Sequence, residues 1–333
     1  MQLLSLSNIT VMKALILTFF SLLIALFSYG QIAGDTQIYL ADPAIFYSNG
    51  TYYLYGTVEG NSNGGFKVYS SNDQKKWEDK GYALKKEDAY GDKGFWAPQV
   101  FTHLNRFYMA YVANENIAIA TADTPLGPFR QENETELKAA VKQIDPYIFF
   151  DDDGKIYLYH VRLQKGNRLF VAEMKSDLSE IIPETLKECL HAEKGWENTA
   201  ESDWPVAEGP TVIKRKGVYY LFYTANDFRN PDYAVGFATS DSPLGPWKKY
   251  AGNPILDKED VGQNGTGHGD FYTDKNGGLN YVFHTHNSPT AVGKRKTAIV
   301  KVKFAKDNNS IDKPVIDFKS FQFLTRKSLP PAK

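Results

Sequence analysis

The chain has 333 residues, 42% hydrophobic and 14% aromatic, enough for a large core. A formal net charge of −1 and a pI near 6.6 exclude the basic surface of a nucleic-acid-binding protein, and the run Lys294-Arg295-Lys296 is too short to alter that. The single cysteine, Cys189, forbids an internal disulfide and, with no Cys/His motif around it, reads as packing rather than as a nucleophile.

At the N-terminus Lys13 precedes an apolar run from Ala14 to Phe27, and the small residues Ser28 and Gly30 stand three and one positions before Gln31. This is the pattern of an export signal, with Met12 as an alternative start. The run is short for a membrane span, although a retained anchor is the alternative fate. We expect residues 1–30 to be a signal peptide and residues 31–333 a single catalytic domain, secreted or periplasmic, with no membrane attachment after cleavage.

From residue 42 onward one pattern returns five times: Asp42-Pro43-Ala44-Ile45-Phe46, Ala97-Pro98-Gln99-Val100-Phe101, Asp145-Pro146-Tyr147-Ile148-Phe149, Gly209-Pro210-Thr211-Val212-Ile213 and Gly269-Asp270-Phe271-Tyr272. Each copy is followed by a turn and an aromatic strand, as in Gly50-Thr51-Tyr52-Tyr53-Leu54-Tyr55 and Gly217-Val218-Tyr219-Tyr220-Leu221-Phe222. A third alternating segment then closes in Pro/Gly turn chemistry, clearest where Ile117 to Ala122 runs into Pro125-Leu126-Gly127-Pro128 and Val235 to Ser240 into Pro243-Leu244-Gly245-Pro246. No stretch of useful length has helical period. Repetition every roughly 50 to 60 residues from strand and turn signals alone predicts an all-β fold, a five-bladed β-propeller with about four strands per blade.

In a propeller the innermost strands converge on the axis, so equivalent ends from different blades face one another. The repeat puts Asp42, Ala97, Asp145, Gly209 and Gly269 at one level, and Ala41, Trp96, Ile144, Glu208 and His268 one step earlier. Asp42, Asp145 and Glu208 are therefore expected to share a pocket walled by Trp96 and His268. One Asp-Pro at a strand end reads as a turn residue. Three acids that differ between copies at one phase read instead as chemistry at a common site.

The motifs Ala41-Asp42-Pro43, Ile144-Asp145-Pro146 and Ala207-Glu208-Gly209-Pro210, with Phe95-Trp96-Ala97-Pro98 and Gly267-His268-Gly269, resemble those of family 43 glycoside hydrolases over essentially the whole chain after the signal. The resemblance implies an inverting hydrolase of arabinose- or xylose-containing plant polysaccharides or oligosaccharides. By match to those motifs Asp42 resembles the general base and Glu208 the general acid, while Asp145 resembles the residue that tunes the acid's pKa and orients substrate. Inversion places one carboxylate behind a water and one protonated carboxyl at the leaving oxygen, roughly 6.5 to 9.5 Å apart. A third carboxylate near Glu208 opposes its ionisation.

Trp96 reads as a sugar-stacking platform or as packing between blades. The resemblance implies that His268 helps hold a cation, often calcium, on the axis; the alternative is a buried, hydrogen-bonded histidine. Arg295 resembles the family's sugar-contacting arginine, with lysines on both sides leaving its register open to a surface position. His284 and His286 share a strand face and read as channel-lining or packing residues rather than zinc ligands. Asp151-Asp152-Asp153-Gly154 reads as a solvated hairpin turn, since no glutamate follows at metal-loop spacing.

The expected activity is that of an α-L-arabinofuranosidase or β-xylosidase needing no redox or nucleotide cofactor, acting as a monomer on carbohydrate. The same acids would serve an endo-arabinanase or a galactosidase, and the loops Glu59 to Gly65 and Lys194 to Asp203 decide among these. A non-catalytic sugar-binding propeller would be expected to lack one of the acids. A retaining fructan hydrolase would need other motifs.

Overall fold

Each of the five repeats forms an antiparallel sheet, and together they make a five-bladed β-propeller in the computed structural model, which describes residues 36–306 and 311–327. The export signal expected over residues 1–30 lies outside the described residues. The propeller occupies Gln37–Arg326. Its innermost strands are Leu40–Ser48, Trp96–His103, Gln143–Phe150, Ala207–Arg215 and Gly267–Thr273 in blades I to V. The second strands are Thr51–Val58, Arg106–Ala113, Ile156–Leu163, Val218–Ala225 and Leu279–Thr285.

The hairpins follow from local chemistry. Asn49-Gly50, Leu104-Asn105 and Lys216-Gly217 are two-residue turns in which both residues take positive φ, the geometry whose twist matches that of the flanking strands. The first and third place glycine at the second position, where a side chain would be most strained.

Blade II departs from the expected four strands. Beyond Trp96–His103, Arg106–Ala113 and Asn116–Ala122, the chain makes only an isolated bridge from Thr121 to Arg130. The equivalent turn of blade IV is followed by a short fourth strand, Lys248–Lys249. In both blades the Pro-Leu-Gly-Pro turn docks on the preceding blade: the Tyr55 hydroxyl donates to the Pro125 carbonyl, and the Tyr159 hydroxyl donates to that of Pro243 at 2.6 Å in blade IV. The repeated turn thus ties blade to blade.

Apolar side chains are buried between adjacent blades. Phe66 meets Phe95 and Tyr111 edge-on between blades I and II, at centroid distances of 5.8 and 5.7 Å, while Phe95 and Tyr111 stack on each other. Between blades V and I, Leu54, Trp77, Val282 and Leu324 form the matching cluster. The ring closes there through main chain: the Ile38 N–H donates to Leu324 O (2.9 Å), and the Thr297 N–H donates to Ile38 O (3.1 Å). Outside it, Thr325–Arg326 runs parallel to Lys76 and Trp77 of blade I.

Asp151 is not solvated. The turn itself forms as expected, with Gly154 N–H donating to Asp151 O at 3.0 Å. The Asp151 side chain, however, is buried against blade IV, where Lys214 pairs with it at 2.5 Å and the Tyr219 hydroxyl donates to it. A neighbouring cation from the next blade outweighs the exposure that the turn alone would give.

Candidate active site

The acids are aimed by a bulge repeated in every blade. The pairing of first and second strands slips between Ala41 and Ala44, Trp96 and Gln99, Glu208 and Thr211, and Gly267 and Asp270, and opposite Asp145-Pro146 in blade III. The first bulged residue is left-handed each time: φ is +49° at Asp42, +46° at Ala97, +55° at Asp145, +59° at Gly209 and +43° at His268. Non-glycine residues rarely adopt this conformation, and it persists here because tertiary contacts hold it.

This corrects the alignment of blade V. His268, not Gly269, is the equivalent of Asp42 and Asp145, and Gly267 is the equivalent of Glu208. Gly269 stands where the other blades carry Pro43, Pro98, Pro146 and Pro210, so pattern matching on the small residue slips by one. His268 therefore belongs to the same tier as the two aspartates, and its ring lies against Gly209. A Cβ on Gly209 would sit 2.9 Å from that ring, so glycine serves both the positive φ and the close approach.

At four of the five bulges the freed N–H is taken up by the preceding blade. Ala97 N–H donates to Thr57 Oγ1 (3.0 Å), Gly209 N–H to Asp145 Oδ2 (3.1 Å), His268 N–H to Thr224 Oγ1 (2.8 Å) and Asp42 N–H to His284 Nδ1 (3.1 Å). Thr57, Thr224 and His284 occupy one phase of the second-strand repeat, opposite Ala41, Glu208 and Gly267. Because His284 accepts through Nδ1, its ring proton sits on Nε2, and burial drives its pKa well below the usual histidine value.

Asp42, Asp145 and His268 converge at one level. His268 Nδ1 stands 3.4 Å from Asp42 Oδ1 and 3.9 Å from Asp145 Oδ2. Asp42 further accepts from the Thr57 hydroxyl at 2.6 Å and faces Arg295 Nη1 at 3.4 Å. Burial opposes its ionisation, but His268, Arg295 and the Thr57 donor outweigh that and hold its pKa at about 2. Asp145 is pushed the other way, above the usual carboxylate range, first by burial and then by the charge on Asp42.

Glu208 lies one residue before its bulge. It accepts from the Tyr233 hydroxyl at Oε1 (2.7 Å) and from Asn167 Nδ2 at Oε2 (2.9 Å). Burial raises its pKa from the usual 4.5 to about 7, and the charge of Asp145 adds to that. Near neutral pH Asp42 is ionised, whereas Asp145 and Glu208 are both held above the usual carboxylate range, Asp145 first by burial and Glu208 by burial with Asp145 beside it.

Arg295 lies largely buried beside Asp42 and is not a surface charge. Its Nε donates to Glu59 Oε1 at 2.6 Å, and its guanidinium lies 4.6 Å from the Phe228 ring centroid. His286 reaches the same segment, with Nε2 2.8 Å from Phe228 O. Trp96 is half-buried and lines an open cleft with Asn63, Lys93, Asn114, Glu115 and Lys142, whereas the axial channel is lined by the bulge residues themselves. For calcium, which takes about six to eight oxygen ligands, His268 offers a nitrogen, and among the described residues no group of three or more His, Cys, Asp or Glu is arranged to hold a metal. Those side chains do not fit such an ion by themselves.

Sequence reasoning passed over Thr57, Asn167 and Tyr233, and met Glu59 only as the first residue of a specificity loop. The second-strand phase shared by Thr57, Thr224 and His284 was legible as a repeat. Asn167 and Tyr233 had no such signal, because they reach Glu208 from a strand start and a loop.

Comparison with known proteins agrees with this geometry. The family model described as "Glycosyl hydrolases family 43" matches residues 36–309. Among curated proteins the chain is similar to xylosidase/arabinosidase 43A of Humicola insolens, 29% identical over 66% of this chain and 82% of that one. It is also similar to a beta-D-galactofuranosidase of Aspergillus niger, 26% identical over 79% of each. Among solved structures, one named as an endo-1,4-beta-xylanase of Bacteroides thetaiotaomicron superposes with a TM-score of 0.80 at 41% identity, covering 88% of this chain and 98% of that one. With the acids of three blades brought to one end of the axis and a family match that spans all five, the chain belongs to glycoside hydrolase family 43 and is a glycosidase.

Proposed function

We propose that this glycosidase is an exported, monomeric, inverting enzyme that removes arabinofuranose or xylose units from plant-type polysaccharides or oligosaccharides. Asp42 is the general base that deprotonates the attacking water, and Glu208 is the general acid that protonates the leaving oxygen. Asp145 opposes ionisation of Glu208 and orients the sugar, and Arg295 holds sugar hydroxyls.

The observation that carries this reading is the divergence between Asp42, held at about 2, and Glu208, raised to about 7. Two carboxyls whose surroundings drive their pKa values apart are suited to be base and acid at one pH. Inversion needs both states at once, with no covalent intermediate and no cofactor. The pentose preference rests on the xylosidase/arabinosidase names of relatives such as those of Humicola insolens and Bacteroides ovatus.

A second reading, endo action on xylan, is favoured by the likeness to the endo-1,4-beta-xylanase structure at 41% identity. A panel of nitrophenyl pentosides and hexosides, with the first-formed anomer followed by NMR and product length measured on xylan and arabinan, tests both. Single pentoses released with inverted configuration are expected. A retained anomer overturns the mechanism, and mixed oligomers with no terminal release favour endo action.

A further inference from the structure

Glu208 is held by a relay that begins at an exposed indole. Trp204 Nε1–H donates to Asn167 Oδ1 at 2.9 Å, and Asn167 Nδ2–H donates to Glu208 Oε2 at 2.9 Å. The indole donor fixes which end of the amide faces the acid, since Oδ1 is engaged and only the NH₂ end is left for the carboxyl. The main chain makes the relay rigid: Asn167 N–H donates to Pro205 O at 3.0 Å, and Asn167 bridges Val206 in parallel. Close packing leaves no play beneath it, because a Cβ on Gly166 would lie 2.4 Å from Pro205 O.

Trp204 is 48% exposed, high for so large an apolar side chain, while its polar edge is turned inward to Asn167. An indole with a wet face and an anchored N–H suits a ligand with an apolar face and polar rim, such as a pyranose or furanose ring. Its place beside the general acid fixes which sugar that is. A general acid delivers its proton to the leaving oxygen, so the exposed aromatic face tied to Glu208 through Asn167 meets the departing part of the substrate.

We propose that Trp204 is the leaving-group platform of this enzyme, and that through Asn167 the same residue positions the general acid. Occupancy of the platform and orientation of the proton donor are coupled by the Trp204–Asn167–Glu208 relay. The inference rests on Glu208 being the general acid.

The test compares wild type, Trp204→Ala, Trp204→Phe and Asn167→Ala on whichever of xylobiose and arabinobiose the wild type cleaves, and on the matching pentosyl fluoride. The fluoride has no leaving sugar and needs little protonation. For Trp204→Ala the loss in kcat/KM on the disaccharide is expected to exceed that on the fluoride by about tenfold or more, chiefly through KM. Trp204→Phe keeps an aromatic face without the donor, so it should recover most of KM. Asn167→Ala removes a donor that favours ionised Glu208 and is expected to move the alkaline limb of kcat/KM to higher pH. Equal losses on both substrates in Trp204→Ala, or an unmoved limb in Asn167→Ala, overturn the proposal while leaving the pentosidase reading intact. A wild type that cleaves neither disaccharide nor fluoride overturns that reading and the platform with it.

Discussion

Tyr233 and His284 lie ring on ring, 5.6 Å between centroids and 13° between planes, and each touches one of the two carboxyls proposed to act. The Tyr233 hydroxyl donates to Glu208, while His284 Nδ1 accepts the main-chain N–H of Asp42. The stack links the donor of Glu208 to the residue that holds the main chain of Asp42. Flat, closely packed groups resist compression, so the stack stiffens the path between the two residues.

Replacing Tyr233 by Phe keeps the stack and removes the donor. That donor holds the Glu208 pKa down, so its loss should raise it and shift the alkaline limb of the pH–rate profile upward, with kcat falling by less than about tenfold. Steady-state kinetics across pH 5 to 9 reads both.

Asp145→Asn should move the same limb in the opposite direction. The charge of Asp145 is the second cause of the raised Glu208 pKa, after burial, and the amide no longer opposes ionisation. Because burial persists, the limb should stop above the ordinary glutamate range. A shifted acid limb instead would couple Asp145 to the base.

Asp42→Asn and Glu208→Gln should each lower turnover of an unactivated glycoside by about 10²- to 10⁴-fold with the fold retained. Glu208→Gln should lose less on aryl glycosides, whose leaving groups need little protonation. Near-normal turnover of a natural disaccharide by either variant would sink the assignment.

Glu208→Gln should also change stability with pH. The carboxyl ionises near 4.5 when unfolded and near 7 when folded, so keeping it buried costs nothing below 4.5 and progressively more between 4.5 and 7. The variant should therefore match wild type near pH 4 and exceed it by about 1 to 3 kcal/mol above pH 7. Melting temperatures across that range check it.

Glu59→Ala frees Arg295 from its 2.6 Å partner and is expected to raise KM about tenfold with a smaller change in kcat. Glu59→Gln keeps an acceptor and should recover part of the loss.

The sequence by itself determined the blades. Alternating aromatic strands joined by turns such as Asn49-Gly50 and Lys216-Gly217 depend on neighbours only two residues apart, so their period is written locally. The acids were legible for the same reason, because Asp42 and Asp145 share one phase of that period and Glu208 stands one residue before it. Tertiary structure decided what the period does not encode. His268 joins the tier of Asp42 and Asp145 because its φ of +43° marks the bulge, which no residue pattern around Gly269 discloses. Blade II has three strands, and its Pro-Leu-Gly-Pro turn docks on Tyr55 of another blade. The charges of the three acids were likewise undecided by residue type. Asp42 lies 253 residues from Arg295, Glu208 lies 41 from Asn167, and only folding buries them beside those partners to drive identical chemistry toward opposite protonation states.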